Sequence, residues 1–107
     1  MTVWFVSRHA GAIEWARGQG LAIDCWVPHL DVAQVQQGDT VAGTLPIHLA
    51  AQVCQHGARY LHLRLDLPPH LRGQELSADD LSAGGARLDA FDVRCLSTAF
   101  GASPKST

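Results

Sequence analysis

Four apolar residues, Val3-Trp4-Phe5-Val6, run directly into Ser7-Arg8-His9, and these into Ala10-Gly11-Ala12-Ile13-Glu14-Trp15. No other stretch limits the fold as much. The apolar run is too short for a helix and rich in β-branched and aromatic residues, so it predicts a central strand covered on both faces. The polar triplet then falls at the strand's carboxyl end, with a helix starting at Gly11 or Ala12. In open α/β sheets that edge is where ligands bind. A hydroxyl, a guanidinium and an imidazole beside the free N–H groups of a helix N-terminus suit a phosphate. The same triplet also reads as a polar loop with no ligand.

Further along, Ile13, Trp15 and Ala16 give an incomplete apolar stripe to the first helix, with Glu14 and Arg17 outside it, and Gly18 and Gly20 end it. Leu21 to Val27 is expected as a second strand, stopped by Pro28. His29 to Val35 reads as a loop with a short helical turn, and Gln36-Gln37-Gly38-Asp39 as a turn. Thr40 to Thr44 is a third strand, in which Gly43 marks the close approach of another backbone or a ligand. Thr44-Leu45-Pro46 opens a second helix, with Thr44 at or near the N-cap and Pro46 in the first turn. Ile47, Leu49, Ala50, Val53 and Cys54 supply its apolar face, and Gly57 ends it.

Arg59 to Leu65 alternates: Leu61, Leu63 and Leu65 point one way, Tyr60, His62 and Arg64 the other, and one face is expected to be less buried. Asp66 to Pro69 breaks this strand, and His70 to Gln74 is a polar loop. Ser77-Ala78-Asp79-Asp80 starts a short helix with a capping-box pattern, closed by Gly84-Gly85. Leu88 to Leu96 is a last strand. Ser97 to Thr107 is small and polar, expected as a mobile tail behind a single domain over 1–96. The order β-α-β-β-α-β-α-β, with two right-handed crossovers, implies a minimal Rossmann-like three-layer α/β domain with a mostly parallel central sheet. It lacks G-x-G-x-x-G, so dinucleotide binding has little support.

Composition narrows the function classes. The 107 residues are 47% apolar, enough for one core. The formal charge of -2 and the absence of a basic run argue against a long duplex-binding surface. Cys25, Cys54 and Cys95 are odd in number and lack C-x-x-C spacing, which predicts buried thiols in a reducing compartment. With no basic n-region and no run near ~20 apolar residues, neither a signal peptide nor a membrane span is expected, and the cytoplasm is the default. The six histidines show no H-E-x-x-H spacing, so no metal or other cofactor is expected. Asp79-Asp80 and Asp89/Asp92 read as solvated faces.

The chemistry therefore rests on the two strand-end bends, Ser7-Arg8-His9 and Thr44-Leu45-Pro46, which lie side by side if the first and third strands are neighbours. Such a site suits a phosphodiester. Arg8 would meet the non-bridging oxygens as charge builds. Ser7, Thr44 and the helix N–H groups would orient it, and His9 would shuttle protons near neutral pH or serve only as a turn residue. With RNA the nucleophile can be the substrate's own 2′-hydroxyl, so alignment suffices and no metal is needed. Catalytic candidates are Ser7, Arg8 and His9. Ligand-binding candidates are Ser7, Arg8, Gly43, Thr44, Leu45, Pro46, Asp66 and Arg72. His62 and Arg64 could reach the same edge or belong to an exposed or dimer-facing surface. His29 and His48 read as ordinary surface or helix residues.

Three further stretches complete a resemblance: Phe5-Val6-Ser7-Arg8-His9-x-Gly11-Ala12-Ile13-Glu14-Trp15, Gly38-Asp39-Thr40-Val41-x-Gly43-Thr44-Leu45-Pro46, and Leu65-Asp66-Leu67-Pro68 with Leu71-Arg72-Gly73-x-Glu75-Leu76. From Val3 to about Val93 the chain resembles the small Csx-type accessory proteins of type III CRISPR systems. That resemblance implies a homodimeric ring nuclease with a fold related to the CARF sensor domains. It would bind cyclic tetra-adenylate and cut it to linear products ending in 2′,3′-cyclic phosphate, switching off the signal. A binder that sequesters the ring without cutting it would need the same bends. Arg8-His9 also resembles the start of the histidine phosphatase motif, but Ala10 intervenes before Gly11 and no second histidine motif is evident.

Overall fold

The structure is a computed structural model that describes residues 1–66 and 73–101. Its elements run β1 (Val3–Val6), α1 (Ala10–Gly18), β2 (Cys25–Val27), a 3-10 turn (Val32–Gln34), β3 (Thr40–Gly43), α2 (Ile47–Gln55), β4 (Arg59–Arg64), α3 (Ala78–Ala83) and β5 (Arg87–Phe91). One sheet takes them in the order β2-β1-β3-β4-β5. β1 is parallel to both β2 and β3, β3 is parallel to β4, and only β5 is antiparallel, on β4. This is the mostly parallel, minimal Rossmann-like sheet that the alternation of strands and helices implies. The expectations at residues 67–72 and 102–107, including most of the loop after β4 and the end of the tail, lie outside the described residues. Among the described residues no helix is long and apolar enough to cross a membrane.

The pleat sorts side chains into two cores. Phe5 and Ala42 point to the face where Ala12, Trp15, Ala16 and Leu81 bring in α1 and α3. Trp4, Val41 and Tyr60 point to the opposite face, where Ala50 and Val53 of α2 meet Val35. The period-2 alternation of the strands thus produces three layers. Gly11 lets α1 lie against the start of α3, because a Cβ there would strike the Leu76 carbonyl oxygen. The capping box of α3 forms as its sequence requires: Ser77 Oγ accepts from Asp80 N at 3.1 Å and Asp80 Oδ2 from Ser77 N at 3.0 Å.

Several boundaries differ from expectation, each for a reason outside the local pattern. β2 begins at Cys25 rather than Leu21. Leu21 N still bonds to Ala16 O at the end of α1, and Asp24 Oδ2 takes the Val3 N–H that a longer strand would need. β5 stops at Phe91 rather than Leu96, because Phe91 already pairs with Tyr60, near the start of β4. The chain then turns onto α2, and Val93 N donates to Cys54 Sγ at 3.4 Å. The Tyr60 position of β4 is more deeply buried than its leucines, since α2 covers that face. Ile47 is 77% exposed instead of packed, being the first residue of α2. Cys25 and Cys54 are half-buried free thiols, whereas Cys95, beyond the end of β5, is exposed rather than buried.

At the edge opposite the strand carboxyl ends, Asp39 ties three segments together. Its buried carboxylate accepts from Thr2 N at 3.0 Å, Gln36 N at 2.9 Å and Trp4 Nε1 at 3.2 Å. The Thr2 and Gln36 N–H groups hold its pKa below the ordinary 3.8, against the opposing effect of burial, with the Trp4 indole adding to the lowering. A depressed carboxylate stabilises the fold above its unfolded pKa and loses that contribution as pH falls through the folded value. Asp39→Asn, which offers an amide where a third acceptor bond is needed, is therefore expected to lower the melting temperature at pH 7. It is also expected to flatten the fall in melting temperature below about pH 4, in a pH series of thermal melts.

Candidate functional site

The strand order reverses between β1 and β3: the chain leaves β1 to one side for β2 and returns on the other for β3. Ligands of doubly wound sheets bind at such a switch point, outside the strands' carboxyl ends. Val6 is paired with Gly43 at the last rung, so the residues after each strand leave the sheet side by side. Gly43 has φ 144°, and a Cβ there would run into the Val6 carbonyl oxygen. The close approach expected at Gly43 is thus with the backbone of β1.

Above this rung lies a cavity of about 660 Å³, within the ~300–1,000 Å³ range of small-ligand sites. Its walls are apolar, with Leu45, Leu49 and Leu63 among them. Its polar side chains are Ser7, Arg8 and His9 after β1, His29 after β2, Thr44 after β3, and Gln74 from the segment before α3. The structure therefore brings Ser7, Arg8, His9, Thr44, Leu45 and Pro46 to one cavity. Gly43 lies beneath it and does not line it. Asp66 is exposed and outside the lining, with its N–H on Gly84 O. Arg72 lies outside the described residues.

Each bend has its own clamp. Ser7 Oγ accepts from His9 N at 3.0 Å, which shapes the turn into α1, and α1 starts at Ala10, one residue earlier than expected. Ser7 N donates to Val27 O at 3.0 Å and Trp26 Nε1 donates to Ser7 O at 2.7 Å, so the ends of β1 and β2 are joined on both sides. On the other bend Thr44 is not the N-cap of α2. Pro46 takes that position, because Leu45 turns inward and its N–H donates to Tyr60 Oη at 3.0 Å. Tyr60 Oη also lies 3.3 Å from Gly43 O and 2.6 Å from His62 Nδ1. Burial pushes its pKa up, with the Leu45 N–H opposing, so the phenol keeps its proton at neutral pH. One buried hydroxyl thus fixes the backbone that presents Thr44.

Arg8 is exposed, and among the described residues no carboxylate pairs with it. His9 Nδ1 lies 3.3 Å from Glu75 Oε2, both side chains being open to solvent. Arg64 and Asp89 form an exposed pair at 2.7 Å, and His62 stacks edge-on to Phe91, so both belong to the surface shared by β4 and β5. Asp92 pairs with Arg94 at the surface. Among the described residues no group of three or more His, Cys, Asp or Glu side chains is placed to hold a metal ion.

Three residues of the site escaped the reading of the sequence. His29 had a usable signal, since it follows Pro28 at a strand's carboxyl end just as Ser7 does. Glu75 had none: it meets His9 across 66 residues of chain. Tyr60 carried only the signal of a strand position, because its role depends on which helix covers β4.

The structure is a mostly parallel three-layer α/β domain of the Rossmann-like class, with Ser7, Arg8, His9 and Thr44 around the cavity at its switch point. Its family is CRISPR-associated: the chain belongs to the family described as "Putative CRISPR-associated protein (Cas_VVA1548)", whose model matches residues 4–94, from β1 through β5. No curated protein and no solved structure matches the chain.

Proposed function

We propose that this protein is a ring nuclease that binds cyclic tetra-adenylate and opens it without a metal, ending a type III CRISPR signal. What carries the reading is the convergence of the Ser7-Arg8-His9 and Thr44-Leu45-Pro46 bends on one cavity, with the Arg8 guanidinium free of any partner among the described residues, in a chain of a CRISPR-associated family. The apolar walls suit bases and the rim suits the phosphates between them. The ribose 2′-oxygen attacks the phosphorus, the bond to the 5′-oxygen breaks, and the product ends in 2′,3′-cyclic phosphate. Arg8 meets the charge that develops on the non-bridging oxygens, Ser7 and Thr44 orient the diester, and His9 moves a proton. A ring of four nucleotides is larger than the drug-sized ligands such cavities enclose, and it has two-fold symmetry. Two copies of the chain would therefore share it across an isologous interface.

Purified protein incubated with radiolabelled cyclic tetra-adenylate in EDTA tests this. Linear products with cyclic-phosphate ends are expected. Intact ring retained on the protein would make it a sequestering binder. Hydrolysis of a phosphomonoester with the ring untouched would make it a phosphatase, and either result would contradict the nuclease.

A further inference from the structure

Metal-free transfer of a phosphoryl group to a 2′-hydroxyl needs two proton movements: one off the attacking oxygen and one onto the leaving 5′-oxygen. Arg8 cannot supply either, since it stays charged at any working pH. The titratable side chains lining the cavity are, among the described residues, Arg8, His9 and His29. The two imidazoles stand on bends after adjacent strands, β1 and β2. Those bends are locked together by the Ser7 N–H on Val27 O at 3.0 Å and the Trp26 indole on Ser7 O at 2.7 Å. Their chemical settings differ. His9 has the Glu75 carboxylate 3.3 Å from Nδ1; a carboxylate only accepts, so in a neutral imidazole held by it the proton is on Nδ1 and Nε2 is the acceptor. His29 is exposed, and no carboxylate pairs with it among the described residues.

We infer that His29 is a second catalytic residue, the general acid that protonates the leaving 5′-oxygen while His9 acts as the base. The inference rests on the nuclease reading above. Each cut then balances without water: the 2′-hydroxyl proton passes to His9, the 2′-oxygen–phosphorus bond forms, the phosphorus–5′-oxygen bond breaks, and the proton of His29 goes to the 5′-oxygen. Solvent restores the two imidazoles afterwards.

The test compares wild type with His29→Ala in single turnovers over a pH series. Two rings serve as substrates: ordinary cyclic tetra-adenylate, and a ring whose bridging 5′-oxygens are sulfur, a leaving group that needs no proton. His29 lies on an exposed bend, and matching thermal melts confirm that the variant folds. Wild type is expected to give a bell-shaped profile. The variant should lose about 10²–10⁴-fold on the ordinary ring and lose the alkaline limb, while cutting the sulfur ring nearly as fast as wild type. An unchanged rate and profile on the ordinary ring would overturn the assignment. So would equal losses on both rings, which would make His29 a binding residue. If wild type cuts neither ring, the nuclease reading itself fails, and the assignment with it.

Discussion

Gly43→Ala lowers the melting temperature of this protein by on the order of 15 °C in a thermal melt. Two effects add. At φ 144° an L-residue is held in a backbone region that costs roughly 1–3 kcal/mol, and the new Cβ meets the Val6 carbonyl oxygen, which belongs to a central strand and cannot step aside. The total, about 3 kcal/mol, is a large share of the stability of a domain this size. Relief requires β3 to move away from β1 at the last rung, which separates Ser7 from Thr44, so ligand binding should weaken in whatever protein remains folded. Gly18→Ala is the control. Gly18 ends α1, its φ is unexceptional, and a Cβ there has nothing within 4 Å. That variant should melt at a slightly higher temperature, by the ~0.4–1 kcal/mol expected from restricting the unfolded chain.

Arg8→Ala has a large expected effect on activity and none on the fold. If the guanidinium acts chiefly where charge develops, the cleavage rate falls about 10²–10³-fold and ring affinity changes far less. Stability should be untouched, since Arg8 is exposed and forms no ion pair among the described residues. Measuring the dissociation constant and the single-turnover rate on the same preparation separates the two contributions. Equal losses in both would reduce Arg8 to a clamp on the ground state.

What could be read from the sequence is what is local in cause. Val3–Val6 is a strand because four apolar, largely β-branched or aromatic residues are too few for a helix, and Ser7-Arg8-His9 follows at its end whatever the rest of the chain does. The adjacency of β1 and β3, which joins the two bends, was only a condition in the sequence, because crossover handedness does not fix strand order; the sheet supplies it. The errors were set by partners distant in sequence. β2 and β5 are shorter than their apolar patterns because Asp24 caps one and β4 runs out beside the other. Thr44 loses the cap position because Tyr60, 16 residues on, takes the Leu45 N–H. The Glu75 contact with His9 depends on how the segment before α3 folds back over α1, which no local pattern encodes. His29 is different in kind: the rule applied to β1 and β3 would have named it had it been applied to β2.

All of the proposed chemistry depends on the cavity at the switch point being the place where the ring lies. A crystal structure of the wild-type protein with cyclic tetra-adenylate methylated on every 2′-oxygen, which removes the nucleophile, measures this directly. The expected result is a phosphate of the ring within hydrogen-bonding distance of Arg8 and of the Ser7 and Thr44 bends, with a base against Leu45 and Leu63. A ring bound elsewhere on the protein, or a phosphate met by neither bend, would contradict it.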